Sequence, residues 1–266
     1  MSAIYNEIGV GYDATRRADQ GILNALASLI ALHKDGSYLD VGCGTGNYTA
    51  ELAKLGGRWS AFDYSELMLE QAKKKSSVVE WSVLDVVKTP YESAAFDAAI
   101  CSLAIHHFQD LHAAFKEISR VLVSSGKFVI FTSTPEQMNS YWLNHYFPVM
   151  MNRSSAQMPS VSKIEAALNI AGLKLFEVKS FSVSARLTDL FLYSGKQRPE
   201  MYLSASVRAG ISSFRNCCPD VELTSGLSRL ATDIESGNIR PIMEMYEKNI
   251  GDYCFLVAQK QLECKR

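Results

Sequence analysis

The sequence predicts an α/β protein: a doubly wound, seven-stranded, mostly parallel sheet with a helical insertion before the last strand. Three observations carry this expectation. Short apolar runs alternate with helix-length amphipathic segments along much of the 266-residue chain. The run Tyr38-Leu39-Asp40-Val41-Gly42-Cys43-Gly44-Thr45-Gly46-Asn47 reads as a strand, a tight glycine turn and a helix start. The first three strands carry Asp40, Asp63 and Asp85 at their carboxyl ends.

Each element follows from local signals. Asp19 is placed to cap a helix whose apolar residues Ile22, Leu23, Leu26, Leu29 and Ile30 recur at helical spacing. The first strand is 38–41, and the helix from about Asn47 stops at Gly56-Gly57. The second strand runs over 58–62 and ends on Asp63. Ser65 then caps a helix bearing Leu67, Met68 and Ala72, whose basic last turn, Lys73-Lys74-Lys75, suits the helix dipole. The third strand is 79–84, ending on Asp85, and the fourth is 96–101. Asp110 opens a helix with Leu111, Ala114, Phe115, Ile118, Val121 and Leu122 on one face; Gly126 is expected to end it, with a fifth strand over 127–132. Ser162-x-x-Glu165 reads as a capping box for a helix ending at Gly172. The sixth strand is 176–183, with a phase break near Ser180, and the last is 253–258. Two segments fall outside the alternation: 134–160, rich in Tyr, Trp, Met and His, and 185–250, mainly helical. Both are expected to cover the ligand edge of the sheet.

Composition narrows the class. With 27 Lys plus Arg against 28 Asp plus Glu, the chain lacks the basic excess of a phosphate-backbone footprint, so no nucleic-acid partner is expected. Cysteines 43, 101, 217, 218, 254 and 264 show no Cys-x-x-Cys spacing, which favours a reducing compartment. Cys217-Cys218 is open to a redox pair or to two small half-buried residues. No apolar run approaches the roughly 18–20 residues of a membrane span, and no signal peptide is evident. A cytoplasmic location is expected. No His/Cys cluster has zinc-ligand spacing, and no metal is expected.

The glycine spacing separates ligand classes. A dinucleotide turn calls for glycine at position 47, which is Asn, and no Gly-Lys-Ser/Thr follows as in a phosphate loop. Asp63 lies 17 positions after Gly46, where a strand-end carboxylate can accept both hydroxyls of a ribose. Asp85 could accept from an exocyclic amine and the Val86 amide could donate to a ring nitrogen. Together these point to an adenosyl ligand.

On these residues the chain resembles a class I S-adenosylmethionine-dependent methyltransferase. It is similar to the small-molecule group that includes the ubiquinone-biosynthesis and trans-aconitate enzymes. The matching segments are Leu39 to Gly46, Phe62-Asp63-Tyr64-Ser65 with Met68-Leu69, Leu84-Asp85-Val86, Phe96-Asp97-Ala98-Ala99 and Ile105-His106-His107-Phe108. The helix Phe115 to Leu122 followed by Ser124-Ser125-Gly126-Lys127 matches too. The resemblance implies S-adenosyl-L-methionine as cofactor, with S-adenosyl-L-homocysteine as product. Asp40 and the backbone of Gly42, Cys43, Gly44 and Gly46 would hold its methionine part. Asp63 would bind the ribose, Met68 would pack on the adenine, and Asp85 with Val86 would read its edge, with Tyr64 alongside. Ser102 to His106 would line the transfer site, and His106 and His107 are candidates for a base. Tyr5, Tyr12 and Arg16 resemble the segment that closes over the cofactor, where Arg16 or Arg17 would meet its carboxylate.

In this reading residues 1–135 form the cofactor half, 136–184 a lid and the continuation of the sheet, 185–250 a helical substrate cover and 251–266 the last strand and tail. Met138, Tyr141, Trp142, His145, Tyr146, Phe147, Met150 and Met151 would wall a pocket for an apolar or aromatic acceptor. Arg186, Asp189, Tyr193, Lys196, Arg198, Tyr202, Arg208 and Arg215 of the insertion would be solvated surface or, in part, a seat for a carboxylate. The expected partner is a small-molecule acceptor, and the expected state a monomer or homodimer. The alternatives are an RNA or protein methyltransferase, or a non-catalytic S-adenosylmethionine-binding protein. Ser102-Leu103-Ala104-Ile105 stands where the first of these would carry an Asn/Asp-Pro-Pro-Tyr/Phe tetrad.

Overall fold

The computed structural model describes residues 12–262. Its strands are β1 (Ser37–Val41), β2 (Arg58–Asp63), β3 (Glu80–Val83), β4 (Phe96–Ser102), β5 (Leu122–Thr132), β6 (Leu173–Phe181) and β7 (Tyr253–Lys260). They form one sheet in the order β3-β2-β1-β4-β5-β7-β6. β7 runs antiparallel to both its neighbours, and the remaining ladders are parallel. Between the strands lie α1 (Tyr12–Thr15), α2 (Gln20–Leu29), α3 (Asn47–Leu55), α4 (Glu66–Lys75) and α5 (Leu111–Val121). After β5 come α6 (Pro135–Met138), α7 (Leu143–Tyr146), α8 (Pro148–Ala156) and α9 (Val161–Ile170). Between β6 and β7 stand α10 (Ala205–Ala209), α11 (Ser212–Asn216), α12 (Asp220–Ser236) and α13 (Ile239–Tyr246).

The two-residue period of the strands divides the apolar side chains between two cores. Ala98 and Ile100 of β4 share one face with Tyr38 and Trp59, and there Leu26 of α2 and Leu52 of α3 pack. Ala99 and Cys101 face the other side, against Phe115 and Ile118 of α5 and Ile164 and Leu168 of α9. β1 pairs with β2 on one side and β4 on the other, so the direction of winding reverses between β1 and β4. A crevice opens beyond the carboxyl ends of strands at such a point. The glycine turn after β1 and residues 103–107 after β4 flank it.

Four local expectations are corrected. α5 ends at Val121 rather than at Gly126. The pairing of β4 with β5 jumps from Phe96↔Leu122 to Ala98↔Lys127, so 123–126 form a bulge inside the strand. Gly126 is needed there because a Cβ would stand 2.9 Å from the Val123 carbonyl. The cap of α9 is Ser160, whose hydroxyl accepts from the Lys163 amide at 3.2 Å; this start makes Val161 helical and seats it against the α5 core. β6 begins at Leu173, and its irregularity falls between Leu175 and Glu177, since regular pairing with β7 continues past Ser180 to Phe181.

The fourth correction concerns 134–160. Tyr141, Trp142, Tyr146, Phe147, Met150 and Met151 are each at most 1% exposed and belong to the core. The insertion brings its own aromatics down onto them: Tyr193 stacks on Tyr141 at 3.8 Å between centroids, and Phe214 meets Phe147 edge-on at 5.1 Å. Burying that much ring area against a second aromatic layer is favourable; it takes these six side chains out of the pocket wall, to which the segment still gives Met138, Ser154, Gln157 and Met158. No helix among the described residues is long and apolar enough to cross a membrane.

Candidate active site

A cavity of about 640 Å³ lies at the carboxyl ends of β1, β2 and β4. The turn after β1 is held by Gly42 and Cys43, whose amides both donate to the Phe62 carbonyl, at 2.9 and 3.0 Å. Gly42, Gly44 and Gly46 all have positive φ, which only glycine adopts freely. Their surroundings differ. A Cβ on Gly44 would meet nothing within 4 Å, so its backbone borders open cavity. A Cβ on Gly46 would press into the Trp81 ring, and Gly46 is absent from the cavity wall. Gly46 therefore caps α3 and packs on β3, a correction to its expected place in the ligand site.

Asp40 points to the Tyr38 face of β1, beneath α3. One of its oxygens accepts from the Thr49 hydroxyl at 2.5 Å; the other, Oδ1, is buried without a partner. Burial pushes the carboxyl up to about 7, against the Thr49 hydrogen bond, with the nearby Asp63 charge adding to the rise. An unpartnered buried carboxylate oxygen is costly, and a cation or hydrogen-bond donor entering the cavity would satisfy it. Asp63 accepts from the Gly44 amide at 2.8 Å and the Ser65 amide at 2.9 Å, which aim its carboxylate across the turn. Burial raises its pKa too. Tyr64, Met68, Asp85 and Val86 continue the wall, with Met68 and Val86 buried and Asp85 exposed.

Ser102, His106 and His107 line the cavity from the β4 side. The Ser102 hydroxyl and His106 Nδ1 are buried without partners. The two imidazoles sit 3.9 Å apart. Burial, and for His106 also its neighbour, lowers them to about 3 and about 4, so both rings are neutral near pH 7. Leu103, between Ser102 and the turn Ile105–His107, takes φ of 55°.

A polar network closes the N-terminal side, and most of it has no local signal. Lys75 Nζ donates to Asp13 Oδ1 at 2.7 Å, to the Thr45 carbonyl at 2.7 Å and to Asn47 Oδ1 at 2.6 Å. Burial lowers its pKa, opposed by Asp13. Arg16, which lines the cavity, pairs with Asp189 at 2.5 Å, and Tyr48 donates to the same carboxylate at 3.0 Å. Arg17 is exposed and does not line the cavity. Tyr5 lies outside the described residues, as does the side chain of Tyr12. Tyr48 is a helix position with apolar character and Asp189 lies 173 residues from Arg16, so neither spacing nor motif marks them.

The remainder of the wall comes from later in the chain: Met138 and Met158 flanking α7 and α8, Phe191 and Leu192, and the segment 209–217. Of the charged and aromatic insertion residues singled out earlier, Tyr193 and Tyr202 are core, and Lys196 pairs with Asp252 at 2.9 Å. Arg198 and Arg208 donate to the Leu187 and Tyr202 carbonyls. Arg215 lines the cavity. The five described cysteines are free thiols.

Residues 39–130 match the methyltransferase-domain family. The crystal structure of a putative methyltransferase from an antibiotic biosynthesis pathway of Anabaena variabilis superposes with a TM-score of 0.81 at 32% identity, covering 91% of this chain and 98% of that one. Among curated proteins, the demethylmenaquinone methyltransferase of Staphylococcus aureus is 28% identical over 58% of this chain and 74% of its own. The malonyl-[acyl-carrier protein] O-methyltransferase of Salmonella typhimurium is 29% identical over 50% of this chain. The match spans only 53% of that relative's length.

Proposed function

The chain belongs to the class I S-adenosylmethionine-dependent methyltransferases, and from that premise we propose that it transfers the cofactor's methyl group to a small-molecule acceptor. The observation that carries this reading is the buried, unpartnered Oδ1 of Asp40 in an acid-lined cavity that the bare Gly44 backbone also borders. Those carboxylate acceptors fit a ligand bearing a cationic amino acid end. Asp63 would take the ribose hydroxyls, Met68 would pack on the adenine, and Asp85 with Val86 would read its edge. Two of the relatives are named for acceptors that are a quinone and a carrier-bound malonyl group, which agrees with a small acceptor.

When bound, the cofactor supplies a methyl group on a sulfonium, already strongly electrophilic. The protein's task is then placement and exclusion of water. Ser102, His106 and Tyr253 would orient the acceptor's nucleophilic atom towards the methyl group, and Met138, Met158 and Phe191 would keep water out. His106 and His107, held neutral by burial, would serve as hydrogen-bonding partners rather than as proton carriers. Titration calorimetry with S-adenosylhomocysteine tests the cofactor half: one site per chain is expected, weakened on Asp63→Ala. Methyl transfer from labelled cofactor into a panel of small phenols, quinols and carboxylic acids tests the acceptor half.

A further inference from the structure

We propose that Arg215 selects an acceptor with an anionic end group, a carboxylate or phosphate, on a mainly apolar body; this rests on the small-molecule reading above. The cavity's charges are unevenly used. Four of its five acids, Asp40, Asp63, Glu66 and Asp85, stand at or just after the strand ends around the glycine turn, where a cationic cofactor is expected, and the fifth, Asp189, is paired with Arg16. Its two cations differ: Arg16 is engaged by Asp189, whereas the Arg215 guanidinium has no hydrogen bond or ion pair among the described residues.

Position supports the same division. Arg215 is exposed, on the short helix α11, which is anchored by Phe214 against Phe147 and so belongs to the wall built by 134–160. That wall offers mostly apolar or neutral side chains, Met138, Met158 and Ile211 among them. An acceptor lying along it has one place to leave a negative charge. A guanidinium is the side chain best shaped for that, since its planar fork donates two parallel hydrogen bonds to a carboxylate or phosphate. Two other insertion arginines, Arg198 and Arg208, do not line the cavity and donate to main-chain carbonyls.

The test uses simple amphiphiles and the full chain. Decanoate, decyl phosphate, decanol and decylamine are titrated into the protein with and without saturating S-adenosylhomocysteine. Decanoate or decyl phosphate should bind about tenfold more tightly than decanol, the margin of one charge-assisted pair, and, once S-adenosylhomocysteine covers the acidic end, decylamine more weakly still. Arg215→Gln should bring the anions to within about twofold of decanol and leave decanol unchanged; Arg215→Lys should keep part of the preference. The ratio of decanoate to decyl phosphate identifies which anion the site takes. Equal binding of anion and alcohol, or an anion preference that survives Arg215→Gln, overturns the proposal. Failure of S-adenosylhomocysteine to bind strikes the cofactor reading instead, and the amphiphile series on the bare protein still decides this one.

Discussion

Asp40 joins a buried charge to an unfilled hydrogen bond, and its titration should be visible in binding. Its pKa is raised from 3.8 to about 7 in the folded protein, so between those values the native state holds a proton that the unfolded chain has lost. Its contribution to stability therefore falls as pH rises through that window. A cationic ligand lowers the pKa again. Cofactor affinity should then climb with pH up to about 7 and level off, and binding at pH 6 should release a proton. Calorimetry in buffers of different ionisation enthalpy reads this; identical heats at pH 6 would sink it, and Asp40→Asn should abolish the dependence. Asp63→Ala should weaken cofactor binding by about 1–3 kcal/mol, the cost of unpairing buried polar groups. Unchanged affinity in a folded variant would remove Asp63 from the site. The histidines make a negative prediction: with both lowered to about 4 or below, turnover at saturating substrates should show no inflection between pH 6 and 8.

At the scale of elements, the three glycines of one turn should part company under mutation. Gly44→Ala adds a methyl in open space and should cost mainly the strain of positive φ, roughly 1 kcal/mol, while hindering the ligand. Gly46→Ala drives a methyl into Trp81 and should lower the melting temperature more than it lowers affinity measured on folded protein. Equal effects of the two on stability would contradict the geometry. These elements were largely legible in the sequence because strand, turn and cap signals are local. Asp19, Ser65 and Asp110 cap helices where expected, their side chains accepting from amides two or three residues on. The misreadings came from signals with two meanings. Gly126 serves a bulge as readily as a helix stop, and Ser160 and Ser162 offer two caps whose choice depends on where Val161 must pack. The polar network was legible only at Arg16. Lys75 and Asp13 are 62 residues apart, and only the closed fold brings them together.

For the whole molecule, the contacts between residues 13–19 and 187–191 join its two halves. Arg16 and Tyr48 share Asp189, the Leu190 amide donates to the Thr15 carbonyl at 3.0 Å, and the Thr188 amide to Asp19 at 3.1 Å. Asp189 is 2% exposed, and Asp189→Ala, which leaves Arg16 and Tyr48 short of an acceptor, should cost about 1.5–3 kcal/mol in chemical denaturation. The aromatic segment is core, so amides of 141–151 should exchange slowly with or without ligand. A strong ligand effect there would restore the lid. The response is expected instead in α10, which buries no residue, and in α11, which buries Phe214. The sheet order has a further consequence, for the way the chain is made. β6 pairs with β7 alone, and β7 begins at Tyr253, more than 70 residues beyond the end of β6 at Phe181. A chain emerging from the ribosome thus completes β5 and β6 well before the strand that must slide between them exists. Until then both carry open edges, β6 with Phe176 and Val178 uncovered even in the finished fold. The slow, long-range closure belongs to the last strand, and the nascent protein is most prone to wrong pairing just before it arrives.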